Sequence, residues 1–380
     1  MRTDEQWKAV RSLLGPGFTG RRMKNTVDMF LECAKNLTKM LKRDGEEGKK
    51  GLDLSRYFSS FAFDVFASYG FGLEVSSMED AENPFVKMAN RIFCTESFNN
   101  PLITIALAFP EIASYVDMFP PDVNDFFVNT IKDIIDIRKQ NLDAGTRKDY
   151  IDLILQAIEK LTGNEEYKQI GITPKLLREQ LIFFFIVGYD SVKTAMSSTS
   201  YYFALHPDIQ SQVRMEILDA IKETDGEIRH ETLSKLPLFD ACIAESMRLI
   251  CPLNRLERVA KLDFHYKNIV IPKGAVIQIP LYALHREPEE FPDPEEWKPE
   301  RFLEGNKTHD PYAYLPFGSG PRICIGQRLS QEIVHYAMVH ILREMEIVRT
   351  PETPEKPEFH PGYRVAIQPI NIVLGFRPLH

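Results

Sequence analysis

The chain has 380 residues, 44% of them hydrophobic, and 46 Lys and Arg against 54 Asp and Glu give a formal charge of -8. That length accommodates one large core, and the mild acidity argues against nucleic acid as a partner. The five cysteines, Cys33, Cys94, Cys242, Cys251 and Cys324, are scattered, odd in number and without zinc-like spacing, which disfavours a disulfide framework or zinc site and fits a reducing compartment.

Taken in chain order, the first two-thirds predicts helices. Val27, Phe30, Leu31, Ala34, Leu37 and Leu41 share one helical stripe. Asp53 is the expected cap of a helix carrying Tyr57, Phe58, Phe61 and Val65. Pro120-Pro121-Asp122 opens another, with Phe127, Ile131, Ile134 and Ile135 on one face, and Asp149 starts a shorter one with Ile151, Leu155 and Ile158. Thr173-Pro174 supplies cap and first turn of a helix running to about Leu205, before His206-Pro207. Such a helix spans roughly 45–50 Å and should cross the core. Pro207 begins the next one.

After Asp263 the pattern changes. Phe264 to Pro280 alternates around Pro272-Lys273-Gly274, the pattern of a β-hairpin. The segment from about Pro354 is turn-rich with short strand-like runs. Polar breaks at 44–50, 142–148 and 305–310 read as exposed loops rather than linkers. The longest apolar run, Leu181 to Val187, is too short to cross a bilayer, and neither a secretory leader nor a repeat is visible. The expectation is a single domain over residues 1–380, mainly α with minor β.

Phe317-Gly318-Ser319-Gly320-Pro321-Arg322-Ile323-Cys324-Ile325-Gly326 sets one cysteine in a glycine-rich, arginine-bearing loop ahead of an amphipathic helix. A cysteine thiolate is the axial haem ligand that pushes electron density onto iron. A free thiol is mostly protonated, so the site is expected to favour the anion, with help from the following helix start. Gly318, Gly320 and Gly326 allow close approach of backbone and dihedrals closed to other residues.

Phe317, Gly320, Arg322, Cys324 and Gly326 match the haem-binding signature of the cytochrome P450 family. The chain resembles that family over essentially its whole length. Arg255-Leu256-Glu257-Arg258-Val259, Ile271-Pro272-Lys273-Gly274 and Tyr282-Ala283-Leu284-His285-Arg286 are closest to its microsomal clan, which handles drugs and xenobiotics. The resemblance implies the cytochrome P450 fold, a long central helix over haem with a small β-sheet region, here without the N-terminal anchor and first strands. The cofactor implied is haem b (iron protoporphyrin IX), held by Cys324.

Further roles follow from the same resemblance. Trp7, Arg11, Arg258 and Arg322 would bind the two haem propionates. Trp7 and Arg11, at i and i+4, otherwise make an ordinary aromatic–arginine pair on a surface helix. Glu245, Arg248 and Arg301 would form a buried ion-pair network beneath the haem. In Val187-Gly188-Tyr189-Asp190-Ser191-Val192, Gly188 would distort the helix and open a groove for dioxygen, while Asp190 and Ser191 relay protons. Val187, Ser191 and Val192 depart from the family pattern, which has a small residue, a threonine and a second hydroxyl there. The alternative for this stretch is a buried helix with a tolerated glycine and an i−4 hydroxyl bond. Phe184, Ile186, Val187, Leu253 and Leu256 would line the substrate pocket. Lys8 and Arg328 would belong to a basic face that docks a flavin domain.

The implied activity is a monooxygenase that inserts one atom of dioxygen into a lipophilic small molecule. Electrons would come from NADPH through NADPH-cytochrome P450 reductase, with cytochrome b5 as a further partner. The implied location is the cytosolic face of the endoplasmic reticulum membrane, by peripheral contact. Two other readings stand beside it: an isomerase- or dehydratase-type relative that needs no reductase, and a truncated chain without catalysis.

Overall fold

The computed structural model describes residues 4–379 apart from 25, 47–49, 74, 78, 81, 94–104, 106–119, 141–149, 162, 360–366 and 368. The expected loop at 142–148, the expected start at Asp149 and Cys94 lie outside the described residues. Helix α1 (Asp4–Leu14) leads through a 3-10 turn at Gly15–Phe18 to α2 (Gly20–Lys24) and α3 (Val27–Asp44). Phe30, Ala34, Leu37 and Leu41 on α3 are buried, as their spacing requires. A two-residue strand β1 (Leu52–Asp53) hands over to α4 (Leu54–Phe66), where the Asp53 carboxylate accepts the Ser55 N–H at 2.9 Å. That bond satisfies one of the donors every helix start leaves open. Next come α5 (Pro84–Phe93), α6 (Pro121–Gln140), α7 (Tyr150–Leu161) and the short α8 (Glu165–Gln169).

Helix α9 (Pro174–Leu205) runs for 32 residues, roughly 48 Å at the rise of an α-helix. Thr173 caps it: its hydroxyl oxygen accepts the Leu176 N–H at 3.1 Å, with Pro174 in the first turn. His206, ahead of Pro207, leaves the helical region (φ −126°, ψ 69°), because the proline ring disfavours helical backbone at the residue before it. Residues 192–201 are buried on every side, the mark of a helix inside the core rather than on it. It packs against α4, α7, α12 (Pro237–Leu249) and α14 (Gln327–Glu344). Between these lie α10 (Pro207–Lys222) and α11 (His230–Leu233).

The β structure is small. Strand β2 (Leu256–Val259) pairs antiparallel with β5 (Val276–Ile279), Leu256 opposite Ile279 and Val259 opposite Val276. Between them, β3 (Phe264–Tyr266) and β4 (Ile269–Ile271) make a separate hairpin. The expected single hairpin around Pro272-Lys273-Gly274 is therefore corrected. The chain reverses at Lys267-Asn268, with Lys267 at φ 52°. Gly274, at φ +88°, instead turns the chain onto β5, its N–H bonded to the Ala260 carbonyl at 2.8 Å. After α13 (Leu281–Leu284) and α14 come β6 (Met345–Val348), β7 (Glu358–Phe359), β8 (Pro369–Ile370) and β9 (Val373–Pro378). β9 lies between β1 and β6, and β7 pairs with β8.

Candidate functional site

The loop before α14 is shaped by its own backbone. Gly318 and Gly320 both adopt φ +73°, a region that costs other residues roughly 1–2 kcal/mol. The Cys324 N–H bonds back to the Phe317 carbonyl at 2.9 Å, and the Ile323 N–H to Gly320 at 3.0 Å. Gly326 differs from expectation: it sits at φ −89° at the N-cap of α14, so no special dihedral explains it. A methyl there would come 3.8 Å from the Phe18 ring and 4.0 Å from the Cys324 sulfur.

Cys324 is an exposed free cysteine. The residue is open to solvent, but protein crowded around the sulfur limits its hydration and pushes the thiol up from its ordinary value, while the Gly326 N–H and the Arg11 charge pull it down. The net direction is upward, against the expectation of a preformed anion. A coordinated metal is what would deprotonate such a thiol outright.

Three other elements meet this loop, and one of them links it to α9. Phe18, in the turn after α1, packs edge-on against Phe184 of α9 at 5.6 Å, so it joins the cysteine loop to the central helix. Arg11 on α1 donates to the Ile323 carbonyl at 2.8 Å. The Arg322 guanidinium lies 4.0 Å over the Trp7 ring. On β2, the Leu256 methyl and Arg258 Nη2 come within 3.6 and 3.9 Å of where a Gly318 side chain would start. Arg258 also donates to the Glu257 carbonyl at 2.8 Å. In or beside this loop stand a bare thiol, apolar side chains and three guanidinium groups. That donor set fits a flat apolar group bearing two carboxylates and a metal with room for sulfur. Arg322 is already paired with a carboxylate, that of Asp4 at 3.0 Å, which Lys261 also contacts. A propionate at Arg322 would therefore compete with Asp4, a residue sequence reasoning passed over.

Behind the loop, Glu245 and Arg248 of α12 are fully buried and joined by two bonds, at 2.7 and 2.9 Å. Arg301, in the turn Pro299–Phe302, reaches Glu245 at 3.4 Å. Arg248 also donates to the carbonyls of His285, Pro294 and Glu296. The His285 ring, left neutral because burial lowers its pKa to about 4, accepts the Leu315 N–H at 3.0 Å. Leu315 lies two residues before Phe317, where the cysteine loop begins, so the network holds the loop's near end through His285. Nothing but its surroundings marks His285 for that task.

The stretch 187–192 of α9 does not show the expected distortion: the helix is continuous through Gly188. The glycine instead admits the Phe66 ring, whose carbons would lie 2.4 Å from an added Cβ. The Ser191 hydroxyl donates to the Val187 carbonyl one turn back at 2.8 Å. Asp190 pairs with Lys193 at 2.9 Å, a partner the sequence reading missed.

The expected pocket residues divide. Phe184 belongs to an aromatic cluster, stacked on Tyr150 at 4.5 Å and edge-on to Phe66 at 5.3 Å, and Ile186 is buried. Ile186 is therefore core, whereas Phe184 is half-buried and packs against the core's edge. Val187 at 45% and Leu253 at 37% are open to solvent, and Leu256 borders the cysteine loop. Arg328 lines a groove of about 970 Å³ on the loop's other side, with Phe317, Asp240, Glu332, His230 and His335. Its charge is mixed rather than basic.

A family model described as Cytochrome P450 matches residues 1–376. Cytochrome P450 3A56 of Fundulus heteroclitus is 33% identical over 356 residues, covering 92% of this chain and 70% of that protein. Lithocholate 6-beta-hydroxylase of Mesocricetus auratus is 33% identical over 381 residues, covering 98% and 73%. Cytochrome P450 3A25 of Mus musculus is 33% identical over 356 residues, covering 92% and 69%.

Proposed function

The chain belongs to the cytochrome P450 family, and on that premise we propose that it is a single-domain microsomal monooxygenase acting on lipophilic small molecules. Membership makes it a monooxygenase with haem on a cysteine thiolate, a small-molecule substrate, dioxygen and a redox partner. The finer reading is haem b on Cys324, with NADPH-cytochrome P450 reductase and cytochrome b5 as electron donors at the endoplasmic reticulum membrane. One relative is named for hydroxylating lithocholate, a largely apolar molecule. Val187, Leu253 and Leu256 give this chain apolar surface suited to that class. No helix among the described residues is long and apolar enough to cross a membrane.

When bound, haem would supply oxygen activation, one atom of dioxygen going to substrate and the other to water with two electrons and two protons. The protein's own groups do the rest. Cys324 offers the ligand sulfur, with the Gly326 N–H directed at it. Arg11, Arg258 and Arg322, with Trp7, neutralise carboxylates in a partly desolvated site. Glu245, Arg248 and Arg301 fix the floor on which the loop rests. Asp190 and Ser191 handle protons on the α9 side.

The observation that carries this reading is the exposed Cys324 thiol in a loop that three guanidinium groups and Phe18 tie to α1, β2 and α9. The test is the visible spectrum of the reduced, haem-loaded protein under carbon monoxide. A thiolate-type Soret band is expected. Cys324→Ser should lose it while helix content by circular dichroism changes little. A histidine-like band, or none, in the unmodified protein overturns the reading. Product formation that depends on NADPH and reductase separates it from the isomerase-type alternative.

A further inference from the structure

The face of α1 that meets the cysteine loop carries an acid beside its aromatic ring and its cation. Asp4, Trp7 and Arg11 stand at i, i+3 and i+7, which puts them on one side of the helix. The Arg11 guanidinium lies 5.8 Å from the centre of the Trp7 ring and that of Arg322 lies 4.0 Å from it, so the indole attracts both by cation–π contact. The Asp4 carboxylate takes one edge of the second: Arg322 Nη2 donates to Asp4 Oδ1 at 3.0 Å. Its other oxygen contacts Lys261 Nζ, and Lys261 stands on the connection between β2 and β3. One carboxylate therefore joins α1, the cysteine loop and the strand region. The side chains of Asp4, Arg322 and Lys261 are 31%, 39% and 65% exposed, so solvent reaches the cluster and its partners can exchange.

We infer that Asp4 and Lys261 set how strongly Arg322 holds a cofactor carboxylate, Asp4 weakening that hold and Lys261 restoring it. The identity of the carboxylate rests on the haem-thiolate reading; the direction of the effect rests on charge. These three side chains carry two positive charges and one negative, a sum of +1. An arriving carboxylate shares Arg322 with Asp4 and is repelled by it. Lys261 opposes this by engaging the same Asp4 oxygens. Asp4→Asn takes the sum to +2 and Lys261→Met takes it to zero. Both changes together return it to +1.

The experiment loads the full chain with haem, or with haem dimethyl ester, whose two carboxylates are blocked. Transfer of the pigment to an excess of apoglobin then gives the rate of loss, and the carbon monoxide spectrum reports ligation. The forms compared are unmodified, Asp4→Asn, Lys261→Met and the double variant. Because partly exposed pairs are modest in strength, Asp4→Asn should lose haem roughly three- to five-fold more slowly, and Lys261→Met faster by a similar factor. The double variant should stay within about two-fold of the unmodified chain, and so should all four forms carrying the diester. Salt at high concentration should shrink the differences seen with haem. A clasp that merely holds α1 to the loop would change the loss of haem and of diester alike and ignore salt. That outcome, or loss of haem from Asp4→Asn as fast as from the unmodified chain or faster, overturns the inference. An unmodified chain that holds haem without a thiolate band defeats the monooxygenase reading instead and leaves the comparison of haem with diester to decide on Asp4. A chain that retains neither pigment overturns both.

Discussion

At the scale of single residues, the sharpest constraint is the contact between Gly188 and Phe66. Phe66 is 1% exposed and wedged against Phe184 at 5.3 Å, so its ring has nowhere to go. A Cβ at 188 would sit 2.4 Å from two ring carbons, well inside van der Waals contact. Overpacking of this kind costs about 1–3 kcal/mol. Gly188→Ala should lower the denaturation midpoint accordingly, and Phe66→Leu in the same chain should recover part of the loss. A midpoint unmoved by Gly188→Ala would mean that α9 and α4 slide apart at no cost. The glycine was legible from sequence, but its reason was not. A motif read along the chain suggests helix distortion, whereas the ring that needs the space comes from a different helix. Cys324 is the opposite case. The turns of its loop, at Gly318 and Gly320 and in the Cys324 N–H bond to Phe317, lie within ten consecutive residues, so the local pattern sufficed to find it. Lys193 escaped notice because a lysine three places after an acid is usually a solvated surface pair, and only burial makes it more.

At the scale of elements, helix bounds were legible where the stop and start signals are covalent neighbours. Thr173-Pro174 and His206-Pro207 bracket α9 at the expected ends because capping and proline sterics act within one turn. The hairpin failed for the complementary reason. Pro272-Lys273-Gly274 is the stronger turn signal, yet β5 finds its partner in β2, beyond β3 and β4, a pairing that alternation alone does not encode. Capping also gives a measurable prediction. The Thr173 hydroxyl satisfies the Leu176 N–H, and Thr173→Ala removes that acceptor at a cost of about 1 kcal/mol. Urea denaturation should show the midpoint fall without a change in slope. Thr173→Asn, which restores an acceptor, should return it. If Thr173→Ala leaves the midpoint in place, packing against α4 and α12 alone fixes where α9 begins.

At the scale of the whole molecule, stability against pH is set by buried groups that titrate in opposite senses. Burial raises Asp64, on α4, from 3.8 to about 6, against the pull of the Ser77 N–H and hydroxyl. Its charge also pushes up the neighbouring Cys33 thiol. A carboxyl raised in the folded state favours folding below its unfolded value, and that contribution is lost as pH rises through about 6. His285 runs the other way: burial lowers it from 6.5 to about 4, so its contribution is present above 6.5 and lost as pH falls. Between about 4 and 6 the two oppose each other and flatten the acid limb. At about 1.4 kcal/mol per pH unit, the ionised Asp64 costs roughly 3 kcal/mol above pH 6. Asp64→Asn removes that cost and its pH dependence together. The variant should be the more stable protein at pH 8, by an amount reduced by whatever the amide fails to satisfy near Ser77. Its advantage should shrink as pH falls through 6 toward 4, where the unopposed His285 loss steepens its acid limb. Urea melts at pH 4, 5, 6 and 8 measure the difference directly. A gap that stays constant across them would place Asp64 in contact with water, and burial would no longer account for its titration.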